Sequence, residues 1–364
     1  MGADRFALST TSTYGCEVTT ATVSDRPLVR QRERMAGMSL ARHEARSDLS
    51  GGPKPKTRRW SGLKPGIPFV LLHVACVAVV LVGVSPVAIG VAAFTYVTRA
   101  FGITAFYHRC FSHRAFKVPR PVQLVGAVLG AAAAQRGPLW WVAHHREHHR
   151  YTDRPGDPHS PRNDGLLGAH LLWLFDAKNQ PTRLHNVTDL AKFREMRLLD
   201  RYHHLVPVTT AVATFGLGAL LGDLWPSLHT SAWQMLVWGF VVSTVLLYHS
   251  TFAVNSLAHR FGQRRFATRD DSRNNWLVSL LTLGEGWHNN HHRFPACARQ
   301  GLSRTELDPT WLGIRVLAAL GLAHDLRPVP SWAVQAARQG PATANAELQA
   351  PPAIRTDSPA LGPS

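Results

Sequence analysis

The sequence predicts an all-α integral membrane protein, with four transmembrane helices and a cytoplasmic helical cap that holds a histidine-rich metal site. Three observations lead to this fold class. Four long apolar runs carry almost no charge, three clusters of histidines lie in the polar segments beside those runs, and the basic residues are concentrated in the same polar segments. Together they indicate spanning helices with one functional face on one side of a membrane.

The four apolar runs are about as long as a helix must be to cross a bilayer, which takes about 20 residues. The first two runs meet at Ser85-Pro86, where the proline ends one helix and permits a tight turn. We therefore expect the first two spans to form a helical hairpin with a very short outside loop. The expected spans cover residues 68–85, 86–106, 205–222 and 232–254.

The chain is strongly basic, with 40 Lys and Arg against 23 Asp and Glu and a formal net charge of +17. Such an excess is often a sign of nucleic-acid binding, but here it lies in the N-terminal segment and in loops beside apolar runs, which suits the anionic cytoplasmic face of a membrane. The linker 223–231 has no Lys or Arg. The positive-inside rule therefore places residues 1–67, 107–204 and 255–364 in the cytoplasm. Both termini and every histidine cluster then share one side, and we expect membrane lipid but no nucleic acid as a partner.

The sequence divides into an arm, a membrane domain and a tail. Residues 1–60 are rich in Ser, Thr, Arg and Gly, and we expect a disordered basic arm. Residues 65–330 form the membrane domain. Within it, residues 121–134 are apolar but too short to span, which favours an interfacial or re-entrant helix, and residues 311–322 favour an amphipathic helix. The Ala-, Pro- and Gln-rich tail, residues 338–364, is expected to be disordered.

Nine histidines have the spacing of metal ligands. The stretch from His144 to His149 contains four histidines, and if it is helical, the three at i, i+3 and i+4, which are His145, His148 and His149, share one face. His144 points to another face and is not expected to be a ligand. Two further clusters have H-x-x-x-x-H and H-x-x-H-H spacing, and one histidine follows directly after the fourth apolar run. The candidate ligands are His108, His113, His145, His148, His149, His259, His288, His291 and His292.

Nine ligands are more than one metal uses, so the pattern predicts two metal ions. Imidazole alone admits zinc, copper, iron or nickel, and a ligand set of histidines without thiolate disfavours structural zinc and iron–sulfur clusters. Two redox-active irons at a membrane surface would suit oxygen activation, because the C–H bonds of lipids are inert and need a cofactor that supplies a strong oxidant.

In their sequence context these histidines resemble the three histidine boxes of the membrane fatty acid desaturases, most closely the acyl-CoA Δ9 (stearoyl-CoA-type) branch. The resemblance covers residues 65–300 and implies that the nine histidines ligate a diiron centre, that Asn255 holds one iron through a water, and that dioxygen is a co-substrate. It rests on the boxes 108–113 (HRCFSH), 145–149 (HREHH) and 284–292 (GEGWHNNHH), and on the flanking segments 102–104, 157–159, 255–259 and 272–275.

The resemblance also implies the reaction and its partners. Dioxygen and two external electrons would remove two hydrogens from the saturated chain of a fatty acyl-CoA, or of another acyl carrier, and leave a cis double bond. The electrons are expected from a separate protein of the ferredoxin or flavin reductase type. A closed, kinked apolar tunnel would set which carbons are desaturated. We expect Trp173 and Trp287 to line this tunnel, and Asp157, Arg273 and Asn274 to bind the head group or to orient ligands.

Several alternatives share the ligand pattern. A diiron lipid hydroxylase, or a desaturase of acyl-lipid or acyl-carrier-protein substrates, would keep the ligands and change the tunnel, and an inactive relative would also keep them. A metal transporter is a remote alternative, because transport predicts ionisable residues inside the membrane and most candidate ligands lie outside the expected spans. His159, His170 and His249 are not expected to be direct ligands, although one of them could support a ligand.

Overall fold

The computed structural model describes residues 66–339, and every secondary-structure element assigned within that range is a helix. The all-α prediction is therefore confirmed. Three of the helices, α1, α2 and α9, change their helical geometry part-way along. In chain order the helices are α1 (Ile67–Val82), α2 (Pro86–Ser112), α3 (Arg120–Ala132), α4 (Pro138–Tyr151), α5 (Pro161–His170), α6 (Thr188–Ala191), α7 (Arg194–Arg201), α8 (Leu205–Leu224), α9 (Ala232–His259), α10 (Trp276–Leu281), α11 (His288–Arg293), α12 (Pro309–Ala319) and α13 (Ser331–Gln339).

Three helices of the described chain are long and apolar enough to cross a membrane, namely α2, α8 and α9, with 27, 20 and 28 residues. α1 is apolar but shorter. The four expected spans thus correspond to three full-length helices and one shorter one in an integral membrane protein. α2 and α9 also run beyond the expected ends at residues 106 and 254, to Ser112 and His259. Their last residues are polar yet largely buried, so the helices continue where the apolar sequence stops.

The connection between α1 and α2 is the tight turn that the sequence predicts. Gly83 follows α1 with a φ of 67°, a conformation that glycine adopts without steric strain. Ser85 then caps α2, its hydroxyl accepting a hydrogen bond from the N–H of Ala88 at 3.1 Å, and Pro86 occupies the first turn. The Ser85 hydroxyl also donates to Gln234 of α9 at 2.6 Å. The hairpin is therefore fastened to the last spanning helix.

The one charge within the second apolar run is satisfied inside the helix bundle. Arg99 is 2% exposed. Its Nε donates to the carbonyl of Thr95 at 2.8 Å, and its other nitrogens donate to the hydroxyls of Thr244 and Ser243 on α9. A buried guanidinium is tolerated because its donors find partners, and here they join α2 to α9.

Helix α3 packs closely on α2 through glycine. A Cβ atom at Gly126 would lie 2.0 Å from the ring of Phe106, and one at Gly130 would lie 2.2 Å from the ring of Tyr107. Only glycine permits this approach, which supports the end of α2 that carries the first histidine box. α3 covers the segment expected to form an interfacial or re-entrant helix, and it exposes Val125 on its outer face.

The predictions for the chain ends fall mostly on residues that the structure does not describe. The basic arm expected over residues 1–60 lies outside the described residues, and so does the tail beyond residue 339. The described chain ends with α13, which includes Arg338, and α12 corresponds to the amphipathic helix expected over residues 311–322.

Candidate metal centre

The first histidine pair stands on the last part of α2, Gly102–Ser112, which is a π-helix. In an α-helix, side chains five residues apart point roughly 140° away from each other, whereas the i→i+5 hydrogen bonds of a π-helix bring them together. The N–H of His113 donates to the carbonyl of His108 at 3.2 Å, and the two ring centroids are 4.8 Å apart. The H-x-x-x-x-H spacing therefore yields a ligand pair because the helix widens there.

The second box lies on α4, which is helical as the sequence predicts. His145, His148 and His149 share one face, with ring centroids 4.6 Å apart for His145 and His149 and 5.4 Å apart for His148 and His149. His144 turns away, and its Nδ1 makes a 2.8 Å hydrogen bond with the carbonyl of Trp140 in the preceding turn. The helix thus presents three of its four clustered histidines together.

The third box lies on α11, a single short helix, and faces the end of α9. The Nε2 atom of His288 is 3.0 Å from that of His259 and 3.0 Å from that of His292. The two asparagines inside the box anchor the helix. The side-chain oxygen of Asn289 accepts hydrogen bonds from the N–H groups of residues 265 and 266, and the side chain of Asn290 donates to the carbonyl of residue 300 at 2.9 Å.

The nine histidines form two adjoining groups. Within each group, one possible ligand atom from every member lies within 4.8 Å of the others. The two groups meet at His149 and His292, whose rings stack with centroids 4.6 Å apart. All nine candidate ligands are therefore brought together. The first group consists of His108, His113, His145, His149 and His291, and the second of His148, His259, His288 and His292.

The spacing of the nitrogens fits two metal sites. The Nε2 atoms of His113 and His145 are 2.8 Å apart, and those of His259 and His288 are 3.0 Å apart. Two nitrogens that each lie about 2.1 Å from one metal ion, at a right angle, are about 3.0 Å apart. A neutral imidazole has a single N–H, so a ring of such contacts cannot be satisfied by hydrogen bonds alone. A metal cation would coordinate the nitrogen lone pairs that converge here.

The protonation of six of these histidines also suits metal binding. Burial, followed by the proximity of the other imidazoles, lowers the pKa of five of them well below the usual range. Burial also lowers the pKa of a sixth, His292, to about 4, although its contact with Asp270 acts to raise it. The neutral imidazole is the form that ligates a metal. The five are His113, His145, His149, His288 and His291.

Carboxylates hold the outward nitrogens of the second group. A metal-ligating histidine commonly donates its other N–H to a carboxylate, which fixes the ring and its tautomer. Three such contacts join Nδ1 to a carboxylate oxygen: His148 with Asp157 at 2.9 Å, His259 with Asp153 at 3.0 Å, and His292 with Asp270 at 3.1 Å. Asp157 was expected to bind a head group or orient a ligand, and it contacts the candidate ligand His148 and does not line the apolar cavity. Asp153 and Asp270 were missed, although Asp153 closely follows the second box in the sequence.

Glu285 plays the corresponding part in the first group and was also missed. Its carboxylate contacts Nδ1 of His108 and lies 2.9 Å from Arg109. Burial would raise the pKa of Glu285, but the imidazole of His108 and the guanidinium of Arg109 hold it below the ordinary value. Arg109 also donates to Asp308 at 3.0 Å and to the carbonyl of Ala298 at 2.8 Å. The first box is thereby tied to the segment around the third box.

An apolar cavity of about 750 Å³ lies beside the histidine groups. Its wall includes His145 of the first group and Asn255, which is one helical turn before His259 on α9. Apolar side chains from three membrane helices complete the wall, among them Leu72 of α1 and Phe240 of α9. The cavity therefore joins the histidine groups to the membrane-facing part of the bundle, and its lining suits a long apolar ligand.

Comparison with known proteins agrees with this site, because residues 66–325 match the family model described as "Fatty acid desaturase". This chain belongs to the fatty acid desaturase family. It is similar to the acyl-CoA C20 Delta5-desaturase of Anemone leveillei, with 41% identity over 64% of this chain and 70% of the relative. It is also similar to Delta-9 acyl-lipid desaturase 1 of Arabidopsis thaliana, at 40% over 66% and 75% of the two chains, and to the sn-1 stearoyl-lipid 9-desaturase of Anabaena variabilis, at 36% over 71% and 91%. The protein is thus an oxidoreductase of lipid metabolism.

The two tryptophans expected to line the desaturase tunnel have different environments. Trp173 is buried in the cavity wall and stacks on Trp140, with ring centroids 5.8 Å apart. Trp287 does not belong to the wall of this cavity, and its indole N–H donates to the carbonyl of Leu307 at 2.8 Å. Trp287 thus lies apart from this cavity, and its expected role in a tunnel stays a prediction. Trp287 directly precedes α11, and its hydrogen bond to Leu307 anchors the loop that follows the third box.

Arg273 and Asn274 also lie outside the cavity wall. The side chain of Asn274 donates to Asn290 at 2.8 Å and its oxygen accepts from the N–H of the same residue at 3.1 Å, so it orients the third box. Arg273 is partly buried, and its nearest hydrogen-bond acceptor is the carbonyl of Gly262 at 3.4 Å. Asn274 therefore contacts the third box, and neither Arg273 nor Asn274 is placed to contact a chain in the cavity.

The histidines not expected to be direct ligands divide into two sets. His144 and His159 line the cavity, and burial lowers their pKa values to about 4 and about 3. His159 stacks on His148 at 4.4 Å and, with His148 and Asp157, offers a third set of possible ligand atoms beside the second group. His170 and His249 belong to neither group, and they contact each other through nitrogens 3.0 Å apart.

Proposed function

We propose that this desaturase introduces a cis double bond at the Δ9 position of a saturated fatty acyl-CoA, with two iron ions, dioxygen and electrons from a separate protein. The reaction consumes one dioxygen, two electrons and two protons, removes two hydrogens from the acyl chain and releases two waters. When bound, the iron pair supplies the oxidant for C–H bonds that no side chain can attack. The protein supplies the ligands, the shape of the cavity and the exclusion of water.

The donor set supports two iron ions, one held by each group of histidines. The first group offers five buried or half-buried imidazoles and the second offers four. Asn255 would add a ligand through a water, because it stands one turn before His259 on α9 and borders the cavity. Imidazole-only sites accept iron, and the carboxylates behind the rings would fix their orientation.

The observation that carries the proposal is the wall shared by the cavity and the first histidine group. Because His145 and Asn255 border the cavity, a saturated chain inside it would pass beside the metal centre. Trp140 and Trp173 form a stacked, rigid part of the wall. A chain held between such rings can reach the centre only with particular carbons, and the distance from its head group would set the position of the double bond.

A second carrier, an acyl lipid, is favoured by two observations. The relatives from Arabidopsis thaliana and Anabaena variabilis are named as lipid desaturases. In this chain the cavity wall includes Val208 and Val212 of α8, which are 57% and 65% exposed on that membrane helix. An acyl chain could therefore enter sideways from the bilayer while its head group stays at the membrane surface. A diiron lipid hydroxylase would use the same cavity, and its hydroxylated product would distinguish it from a desaturase.

We infer from the charge pattern that the metal centre and both termini face the cytoplasm. Basic residues are frequent in segments 107–204 and 255–364, which contain the histidine boxes in the sequence, and the linker 223–231 carries none. This orientation would place the centre within reach of a soluble electron carrier. Cysteine labelling of position 227 in intact cells tests it, since only an outside loop would react with an impermeant reagent.

The function is tested by product analysis. The protein is expressed in a host that lacks desaturase, and purified enzyme is supplied with stearoyl-CoA, with a stearoyl phospholipid and with reductant. Mass spectrometry of derivatised products should locate a cis double bond at Δ9, and metal analysis should find about two irons per chain. A double bond formed only on the phospholipid would show that the substrate is an acyl lipid and not an acyl-CoA. A hydroxylated product, or metal uptake without oxygen consumption, would contradict the proposal.

A further inference from the structure

A second cleft, of about 430 Å³, also borders the metal centre, and it shares no lining residue with the apolar cavity. Its wall is polar, and two of its members are His149 and His292. These two imidazoles come from different ligand groups, and they stack with their planes 25° apart. The cleft is thus a place where both groups reach open space.

Four arginines surround this cleft, and all four are exposed. Within residues 66–339 none of them forms an ion pair with a carboxylate, whereas many other arginines of the described chain do. The one acidic residue of the wall, Asp270, is engaged with His292. The cleft therefore carries unbalanced positive charge directly above two candidate metal ligands. The four arginines are Arg150, Arg154, Arg269 and Arg293.

We propose that this arginine-lined cleft is the docking site of an acidic protein that carries one electron at a time, and this rests on the function proposed above. Unpaired arginines around a polar depression attract a negatively charged partner and increase its rate of encounter. Each docked carrier would give up one electron to the bound metal centre beside His149 and His292, so two dockings would deliver the two electrons of one turnover. No proton or bond changes place in this step.

The position of the cleft argues for a redox protein over other anions. A phosphate of the acyl carrier belongs at the mouth of the apolar cavity, because the head group and the chain are one molecule, yet the cleft and the cavity have no lining residue in common. An anionic lipid would gain nothing from contact with metal ligands. Only an electron carrier needs both the arginines and the stacked pair of His149 and His292.

Charge reversal tests the proposal. The variant Arg154→Glu/Arg269→Glu is compared with Arg304→Glu/Arg315→Glu, which changes the net charge equally at exposed arginines outside the cleft. The probes are an acidic [2Fe–2S] ferredoxin and an acidic cytochrome b5-type haem domain. For the carrier that binds the unaltered enzyme, the cleft variant should raise Kd and KM at low salt by at least about tenfold and flatten their salt dependence. The control variant should leave both unchanged, and dithionite should reduce all three proteins equally.

The outcomes separate the docking site from the proposed function. Equal carrier affinity in both variants overturns the proposal, and so does failure of the unaltered enzyme to bind either carrier. A raised KM for acyl-CoA alone, or lost binding to phosphatidylglycerol vesicles alone, assigns the cleft to a head group or to lipid and also overturns it. Carrier binding that depends on the cleft in an enzyme that forms no double bond supports the docking site while the proposed function fails.

Discussion

The Nδ1 atom of His148 lies 2.9 Å from a carboxylate oxygen of Asp157, and both side chains are buried. Burial alone would raise the pKa of Asp157, but the imidazole of His148, the neighbouring His159 and the N–H of Asp153 hold it well below the ordinary value. A permanently ionised carboxylate keeps the proton on Nδ1. The Nε2 lone pair of His148 is then directed toward the group that it shares with His259.

Replacing this carboxylate tests whether it supports a metal ligand. Asp157→Asn keeps the shape of the side chain but removes its charge, and we expect metal affinity or activity to fall about 10- to 100-fold. Metal content per chain, measured after dialysis against a weak chelator, checks this directly. Asp223→Asn, at an exposed position in the last turn of α8, is the matched control and should behave as the unaltered protein. Full metal retention in Asp157→Asn would show that the contact only stabilises the fold.

The two ligand groups can be tested separately. His291→Ala removes one imidazole from the first group and His148→Ala removes one from the second. Each change opens a coordination position to water, so we expect desaturation to be lost and bound iron to fall from about two ions per chain toward one. The control is His185→Ala, at an exposed histidine outside both groups. Unchanged iron content in either variant would remove that residue from the ligand set.

The sequence predicted which histidines come together better than it predicted what positions them. Their spacing on α4 follows from ordinary helix geometry, because i, i+3 and i+4 share a face. The pairing of His108 with His113 depends instead on the π-helix at the end of α2. Apolar periodicity cannot reveal a π-helix, and the expected span accordingly ended at residue 106 while the helix continues to Ser112.

The supporting carboxylates were harder to find for a different reason. Asp153, Asp270 and Glu285 contact candidate ligands that lie in other segments of the chain. Such contacts form only when the chain folds. Single acidic residues near a box are common, and the sequence does not show which histidine such a carboxylate will contact. The surroundings of Trp287 could not be predicted for the same reason, since its neighbours are set by the loop that carries Leu307.

An acid-sensitive clamp joins the first two boxes. Asp189 of α6 accepts from Arg114, which follows the first box, and from Arg146 inside the second, both at 2.7 Å. Burial would raise its pKa, but the two guanidinium groups lower it from 3.8 to about 2. A carboxyl with a lowered folded-state pKa stabilises the fold above its ordinary pKa, and this contribution is lost as the pH falls through the lower value.

We therefore expect Asp189→Asn to lower the stability by about 1–2 kcal/mol at neutral pH, since the site is partly screened by solvent. The difference from the unaltered protein should shrink between about pH 4 and pH 2. Thermal unfolding in detergent at a series of pH values measures it. Asp325→Asn, which breaks an ion pair to Lys117 whose members are 60% and 68% exposed, is the control and should change little. A pH-independent difference would show that the effect of Asp189 is steric.

The size of the apolar cavity should set the length of the acyl chain. Ala211 of α8 lines the cavity, whereas Ala213, two residues later on the same helix, is exposed and does not. Ala211→Phe would fill part of the space next to the chain, and each methylene that loses its place forfeits about 0.8 kcal/mol, or about fourfold in relative rate. In competition between palmitoyl and stearoyl substrates, which differ by two methylenes, we expect the preference to move toward the shorter chain by about fifteenfold. Ala213→Phe adds the same ring on the outer face and should leave the ratio unchanged. Equal loss of both products in Ala211→Phe, with iron content intact, would mean that the chain lies elsewhere.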